Sequence, residues 1–298
     1  MKIAPSVFVD VGLKIIGRSQ STATQGMAQK RRWRKLFGAS PVVCSCLWAL
    51  IDPLNNRRLP SKAEIKHLLW ALVFMRDYDV EENHAVLTGA DEKTYRKWQW
   101  SFINEIALTE SRVILWENRR VDDILNDALT SVDGTDLQIP KYNPFWKGWF
   151  SHKVNQGVRW EVALCLRTGE IVWIHGPFPC GRWPDIEIFR HSMMFHMDED
   201  EKAEADNGYI GEPAKTLTPK NNTQNESDAE YRQYTRARQE SVNKRLKDWM
   251  CLSQKLRHNL QRHSTMFRAV AVICQLAVTN GEQLFQIDYD QDNFSLPH

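Results

Sequence analysis

The 298-residue sequence has no strong net charge and no long hydrophobic segment. Its formal charge is only +2, so any affinity for nucleic acid must come from local clusters of basic residues. The most apolar run, Leu68–Met75, is too short to cross a bilayer. Residues 1–16 lack the apolar core of a leader peptide. These absences predict a soluble, intracellular protein without a membrane partner.

The cysteines lack the spacing of a metal site or a disulfide framework. None of the six stands in a repeated Cys-x-x-Cys pattern, and the one close pair is Cys44 and Cys46. Such a pattern indicates free thiols in a reducing compartment. Hydrophobic residues make up 42% of the chain and there are 12 tryptophans, so the chain can bury a sizeable core. We therefore predict a globular protein.

The N-terminal part is predicted to be helical. Residues 1–60 are predicted to form a basic, helical arm. Its tract Gln29–Lys35 has two interpretations: a nuclear localisation signal or phosphate-binding segment, or an ordinary solvated basic surface. Residues 61–127 are predicted to form a helix-turn-helix-like domain. Its first helix follows Ser61–Glu64, which has the form of a capping box.

The second helix of this domain begins after a turn at Thr88–Asp91. Its exposed first turns carry Lys93, Arg96 and Lys97, which are candidates for DNA contact. Short turns between helices are also common in ordinary helical bundles, and spacing alone favours that reading.

From about residue 129 onward the pattern changes to short β-rich segments. Predicted strands are Leu129–Ile139, Val158–Arg167, Glu170–His175 and 204–206. Predicted helices start near Pro184, at Thr235 (to about 256) and at Ser264 (to about 279). Residues 213–228 are predicted to be a polar insertion and 280–298 a tail. The order predicts an α/β domain over 128–279, with a mixed sheet flanked by helices.

Three acidic residues in distinct phrases are the strongest candidates for chemistry. Asp133 stands in Ser-Val-Asp-Gly-Thr-Asp, Asp206 in Ala-Asp-Asn-Gly-Tyr, and Glu240 in Arg-Ala-Arg-Gln-Glu. Separated carboxylates can hold two divalent cations, which cleave phosphodiesters. Mg²⁺ is the expected ion because it is a hard cation that prefers oxygen ligands. The predicted strands and the late helix can bring the three acids together.

Glu240 lies on a helical face with three further polar residues: Asn243, Lys244 and Lys247. The amide and the two ammonium groups suit a metal-bound phosphodiester. An ordinary surface pair between Glu240 and Lys244 is the alternative interpretation.

Other polar residues near these phrases are assigned structural roles. Asp136 is three residues from Asp133 and should point to the opposite face of the strand. Asp185 follows Pro184 and is interpreted as a helix cap rather than a ligand.

Together the phrases resemble the PIF/Harbinger-type transposases of the DDE superfamily of endonucleases. The resemblance runs from about residue 61 to 278. Besides the three acidic phrases it rests on Pro-Phe at 144–145, Ser-His-Lys at 151–153, Arg-Trp-Glu at 159–161, the run at 171–181, and Asp185 with Ile-Phe-Arg at 188–190.

The resemblance implies a ribonuclease-H-like fold and a DNA transposase. It implies that Asp133, Asp206 and Glu240 bind two Mg²⁺ ions, with Mn²⁺ as a substitute, and that the protein hydrolyses phosphodiesters at transposon ends and joins 3′-hydroxyl ends to target DNA. The same resemblance implies that the protein acts on double-stranded DNA, with a Myb-like partner protein, in the nucleus. A homo-oligomer is also expected.

Two other functions remain open. Asn207 stands where the family often has Lys, and Gln239 where it often has His. These departures keep open a domesticated, catalytically silent descendant that binds DNA or a protein partner. A weaker alternative is an RNA-directed nuclease on the same fold.

Overall fold

A computed structural model describes residues 2–15, 27–121, 128–141, 146–220 and 226–282. Pro144, Phe145 and residues 283–298 of the predicted tail lie outside the described residues, as does part of the predicted N-terminal arm. The helices that are described include none that is long and apolar enough to cross a membrane. All six cysteines lie in the described ranges and are free thiols, as predicted.

Seven α-helices and a 3-10 helix, Trp116–Arg119, precede the first strand in the described part of the chain. The α-helices are α1 Pro5–Ile15, α2 Met27–Phe37, α3 Pro41–Ile51, α4 Ile65–Asp77, α5 Glu81–Thr88, α6 Glu92–Leu108 and α7 Glu110–Val113. The cap predicted at Ser61 is wrong. Lys62 has a positive φ of 68°, so helix α4 starts only at Ile65. The helix is capped by two hydrogen bonds between Glu64 and His67. The Glu64 side chain accepts from the His67 backbone N–H, and His67 Nδ1 accepts from the Glu64 backbone N–H at 3.1 Å.

Helices α5 and α6 have the predicted turn between them. Gly89 adopts a φ of 65°, and the Asp91 side chain caps α6 by accepting from the Lys93 N–H. Tyr95, Trp98, Phe102 and Ile106 of α6 are buried. Their face packs against α4 and α11 (Leu260–Thr279), so this pair of helices shares the core of the protein.

Within the described ranges the sheet has six strands: β1 Ala128–Gln138, β2 Phe150–Ser151, β3 Asn155–Cys165, β4 Ile171–Pro179, β5 Lys202–Ala205 and β6 Thr216–Leu217. Strand β3 pairs antiparallel with β1, β2 and β4, whereas β5 pairs parallel with β1 and with β6. The predicted α/β class, with a mixed sheet flanked by helices, is confirmed and is consistent with a ribonuclease-H-like fold.

The described helices after β1 are α8 Asp185–His191, α9 Glu226–Lys247, α10 Met250–Ser253 and α11. The single helix predicted over 235–256 is divided in two because Trp249 has an extended backbone. The structure also differs from the polar insertion predicted over residues 213–228. It contains β6, whose Thr216 is fully buried, and the start of α9.

The sheet separates two apolar cores. Strand residues such as Trp160 and Val162 belong to the larger core, which includes α4, α6 and α11; the Trp160 ring stacks on Phe267 of α11 with centroids 4.1 Å apart. The smaller core joins Val132 and Ala163 of the opposite face to α8. Because strand side chains alternate, this division decides which face each polar residue of β1 occupies.

Candidate active site

The parallel pairing of β1 and β5 brings two of the predicted acids together. Val132 is in register with Ala205, and each is followed directly by an aspartate, Asp133 and Asp206. Neighbouring parallel strands therefore carry the two carboxylates at the same level of the sheet. Asp206 follows β5 and caps a short 3-10 turn, where its Oδ1 accepts a 2.7 Å hydrogen bond from the Gly208 N–H.

Helix α9 brings the third predicted acid, Glu240, to the same place. The preceding residue, Gln239, is buried and attaches the helix to the sheet. Its Oε1 accepts from Ser131 Oγ at 2.9 Å, and its Nε2 donates to the Val162 carbonyl at 3.1 Å. Arg238 adds a 2.7 Å hydrogen bond to the Leu166 carbonyl. These bonds set the position of the helix turn from which Glu240 projects.

The three acids line one cavity of about 400 Å³. Besides Asp133, Asp206 and Glu240, its walls include the basic residues Lys153, Arg236, Lys244 and Lys247. Among the ion pairs of the described residues, none joins Glu240 to Lys244. The ion pair between Glu240 and Lys244, which was the alternative interpretation of the sequence, therefore does not form.

Asn243 lies one turn after Glu240 and contacts Asp133 directly. Its Nδ2 donates to Asp133 Oδ2 at 2.7 Å, and Asp133 Oδ1 accepts from the Gly134 N–H at the same distance. The sequence suggested Asn243 as a DNA contact, whereas in the structure its amide holds a carboxylate. Within the described residues, the buried Oδ1 of Asn243 has no hydrogen-bond partner.

The electrostatics of Asp133 reflect a crowded group of acids. Burial raises the pKa of Asp133 to about 6; Lys153 opposes the rise, and the carboxylates of Asp206 and Asp185 add to it. A cation would relieve this repulsion by favouring the ionised form. Burial also lowers the pKa of Lys247, as does the neighbouring ammonium of Lys153.

The donor set of the cavity suits a hard divalent cation. It offers the oxygens of Asp133, Asp206 and Glu240, together with the partnerless Asn243 Oδ1, and Mg²⁺ prefers such ligands. As the described side chains lie, no three His, Cys, Asp or Glu residues are close enough to hold an ion together. The residues present fit such an ion by their chemistry, and the acidic side chains would have to move closer together to share one.

Asp185 is a fourth acid beside the site, and its prediction as a helix cap is wrong. Pro184 is the N-cap of α8, and no side-chain cap bond is present at this described helix end. Instead, Asp185 Oδ1 lies 3.2 Å from Arg159 Nη1. A Cβ placed on Gly134 would lie 1.9 Å from Asp185 Oδ1, and one on Gly208 would lie 3.0 Å from its Oδ2. Asp185 therefore packs directly against the two backbone segments that carry Asp133 and Asp206.

The sequence contains one signal that another residue can pack closely against the backbone beside Asp133 and Asp206. A glycine follows Asp133 immediately and another follows Asp206 by two residues, and glycine permits close contact with the backbone.

Asp136 lies on the opposite face of β1 from Asp133, as the alternation predicts. Its carboxylate accepts from Arg159 Nε and from Ser151 Oγ, both at 2.6 Å. Burial raises the pKa of Asp136, but the hydrogen bonds from Arg159 and Ser151 lower it to a value below its ordinary range. Arg159 thus links Asp136 to Asp185 on one side of the sheet.

The candidate DNA contacts of the N-terminal region lie on α6, outside the residues that line the cavity. Lys93 and Lys97 are exposed. Arg96 is ion-paired with Glu81 of α5 and with Glu92 of its own helix. A phosphate bound by Arg96 would therefore have to compete with two carboxylates.

The comparison with protein families agrees with the fold and with the position of the cavity. The sequence model of the family described as DDE superfamily endonuclease matches residues 132–276. This segment contains Asp133, Asp206 and Glu240. No curated protein and no solved structure matches the chain. Residues 132–276 are therefore similar to DDE superfamily endonucleases, and the match supports a nuclease of the transposase type that acts on DNA.

Proposed function

We propose, from the match of residues 132–276 to DDE superfamily endonucleases, that the protein is a metal-dependent DNA transposase of the PIF/Harbinger type. It would hydrolyse phosphodiesters at transposon ends and join the freed 3′-hydroxyl ends to target DNA. One observation carries the proposal. Asp133 of β1, Asp206 after β5 and Glu240 of α9 line a single cavity together with basic residues.

Asp133, Asp206 and Glu240 would hold two Mg²⁺ ions, or Mn²⁺ as a substitute. Such ions supply a polarised attacking oxygen and stabilisation of the leaving oxygen. The chain itself orients Asp133 through the hydrogen bonds from Asn243 and Gly134.

The basic residues of the cavity have a separate role. Lys244, Lys247 and Arg236 line the cavity with the acids, where they can bind non-bridging phosphate oxygens and offset the negative charge of the DNA. The second helix of the helix-turn-helix pair, with Lys93, Arg96 and Lys97, is proposed to contact the DNA flanking the cleaved end.

The resemblance of the quoted phrases to PIF/Harbinger transposases supports three further proposals. These are a nuclear location, a Myb-like partner protein that contributes DNA recognition, and a homo-oligomer on DNA. The division into an arm of residues 1–60, a helical domain of 61–127, a catalytic domain of 128–279 and a tail also stays a proposal.

The alternative is a domesticated protein that binds DNA or a protein partner without cutting. One observation favours it: in the described part of the chain, no three acidic or other metal-binding side chains are close enough to hold an ion as they lie. In that case the cavity would bind DNA through its basic residues, and the three acids would be dispensable.

The deciding experiment is cleavage of a supercoiled plasmid that carries the ends flanking the source locus. Wild type, Asp133→Ala and Glu240→Gln are compared with Mg²⁺ and with Mn²⁺. Glu199→Gln is the matched control because Glu199 is an exposed acid that does not line the cavity. We expect nicking by wild type and by the control, and its loss in the two cavity variants.

A gel shift on the same DNA separates the two functions. Sequence-selective binding by all four proteins, with no metal-dependent nicking by any, would replace the transposase proposal with the non-cutting alternative. Cleavage of RNA in an RNA–DNA hybrid would point instead to the RNA-directed nuclease.

A further inference from the structure

Exposed aromatic rings and basic side chains occur together around strand β2 and in the turn after β4. We refer to six residues as the aromatic–basic surface: Trp146, Lys147, Phe150, His152, Lys153 and Arg182. Trp146 is 44% exposed and Phe150 is 39% exposed. The four other residues are exposed as well. Large exposed aromatic side chains beside cations are a feature of surfaces that bind nucleic acid.

Backbone hydrogen bonds hold the two segments of this surface together. The N–H groups of Gly181 and Arg182 donate to the Gly148 carbonyl at 2.9 and 3.2 Å. Gly148 lies under the Trp146 ring, where an added Cβ would be 2.3 Å from the nearest ring atom. Trp146 also meets Trp149 edge to face, with centroids 5.3 Å apart. The exposed ring of Trp146 is therefore fixed in place by packing.

Within the described residues, the cations of this surface are not held in close ion pairs. Of the ion pairs found within the described residues, none includes Lys147, Lys153 or Arg182. Lys153 acts electrostatically on Asp133, Asp136 and Asp185, and the last two of these carboxylates are paired with Arg159. Three cations on one small surface favour a polyanionic partner.

The surface is continuous with the candidate active site. Lys153 lines the cavity that contains Asp133. The turn that carries it is attached to β1, since Ser151 Oγ donates to Asp136 Oδ2 at 2.6 Å and accepts from the Lys153 N–H at 3.1 Å. A strand whose phosphate enters the cavity would therefore pass next to Lys153 and onto the aromatic–basic surface.

We propose that the aromatic–basic surface binds unpaired nucleotides of the DNA strand that enters the cavity. Two bases stack on Trp146 and Phe150, and the phosphates between them contact Lys147, Lys153 and Arg182. Unpaired nucleotides fit better than intact duplex because the faces of paired bases are already covered by their neighbours. The inference rests on the proposed function in one respect, namely that the cavity receives a DNA phosphodiester.

The test measures binding by fluorescence anisotropy in EDTA, so that no cleavage takes place. The full chain is titrated onto a labelled blunt duplex and onto the same duplex with a single-stranded thymidine extension of about ten nucleotides. Trp146→Ala and Phe150→Ala are compared with Phe195→Ala, a control that removes a ring that is 74% exposed elsewhere on the protein.

We expect Trp146→Ala and Phe150→Ala each to weaken binding of the extended duplex about tenfold, with blunt-duplex binding and the control unchanged. Lys147→Ala or Arg182→Ala should lower the slope of log affinity against log salt by about 0.7 for the single-stranded part. Circular dichroism of each variant verifies that it is folded.

Equal binding of the extended duplex by wild type and Trp146→Ala would overturn the inference, even if plasmid cleavage stays intact. A different outcome is that Trp146→Ala and Phe150→Ala lose binding of the extended duplex although the wild type does not cut the plasmid. This outcome would support the inference and contradict the proposed cleavage. The two failures are distinguishable because binding is measured without metal.

Discussion

The side-chain amide of Asn243 donates a 2.7 Å hydrogen bond to Asp133 Oδ2, across the junction between α9 and β1. This bond links the helix that carries Glu240 to the strand that carries Asp133. The two acids are 107 residues apart in the chain (240 minus 133), so their relative position depends on this contact and on the anchoring of Gln239.

Asn243→Ala should reduce the rate of metal-dependent nicking by about 10- to 100-fold, because a hydrogen bond to a charged group contributes about 1.5–3 kcal/mol. DNA binding in EDTA should change little. The matched control is Ser241→Ala on the same helix, whose hydroxyl donates to the Ala237 carbonyl within α9. Equal nicking by the two variants would show that the Asn243 contact does not orient Asp133.

Gln239→Met should destabilise the protein by about 1–3 kcal/mol, because it leaves the Val162 carbonyl and the Ser131 hydroxyl without their partner. Nicking should fall as well, since the neighbouring Glu240 loses its anchor. Urea unfolding and plasmid cleavage measure the two effects. In a double-mutant cycle, Ser131→Ala should cost less in the Gln239→Met background than in wild type.

Gly134→Ala should destabilise the protein by about 1–3 kcal/mol through overpacking, since the new methyl group would lie 1.9 Å from Asp185 Oδ1. Urea unfolding measures the loss. In an Asp185→Ala background the same substitution should cost less, because the opposing carboxylate is gone. Strictly additive effects would mean that the two residues do not contact each other.

Glu161→Gln should change how stability depends on pH. Burial raises the pKa of Glu161 from 4.5 to about 8, while hydrogen bonds from Ser192 and Trp173 oppose the rise. A raised folded-state pKa means that its stabilising contribution is complete below about 4.5 and is lost as the pH rises through about 8.

The free energy of unfolding of the wild type should therefore decline between pH 5 and pH 8 by on the order of 1 kcal/mol per pH unit from this group. In Glu161→Gln this decline should disappear, so that the variant is relatively more stable at pH 9. Urea unfolding across this range is the measurement, with Glu199→Gln as the control. A pH dependence identical to that of wild type would contradict the assignment.

Much of the fold could be predicted from local patterns. The β-rich runs predicted strands β1, β3 and β4. Errors occurred at element ends. The cap at Ser61 failed because Lys62 takes a left-handed conformation, and the helix over 235–256 is interrupted at Trp249, which is buried in an extended conformation.

The sequence by itself determined the alternation that puts Asp133 and Asp136 on opposite faces of β1, because that periodicity is a property of any strand. It also indicated the strand that precedes Asp206 and the helix that carries Glu240. Only the tertiary structure decided the roles of Asn243 and Asp185. Their partners, Asp133 and the backbone of Gly134, belong to a strand distant in sequence, and contacts of this kind arise from strand register and helix packing rather than from local pattern.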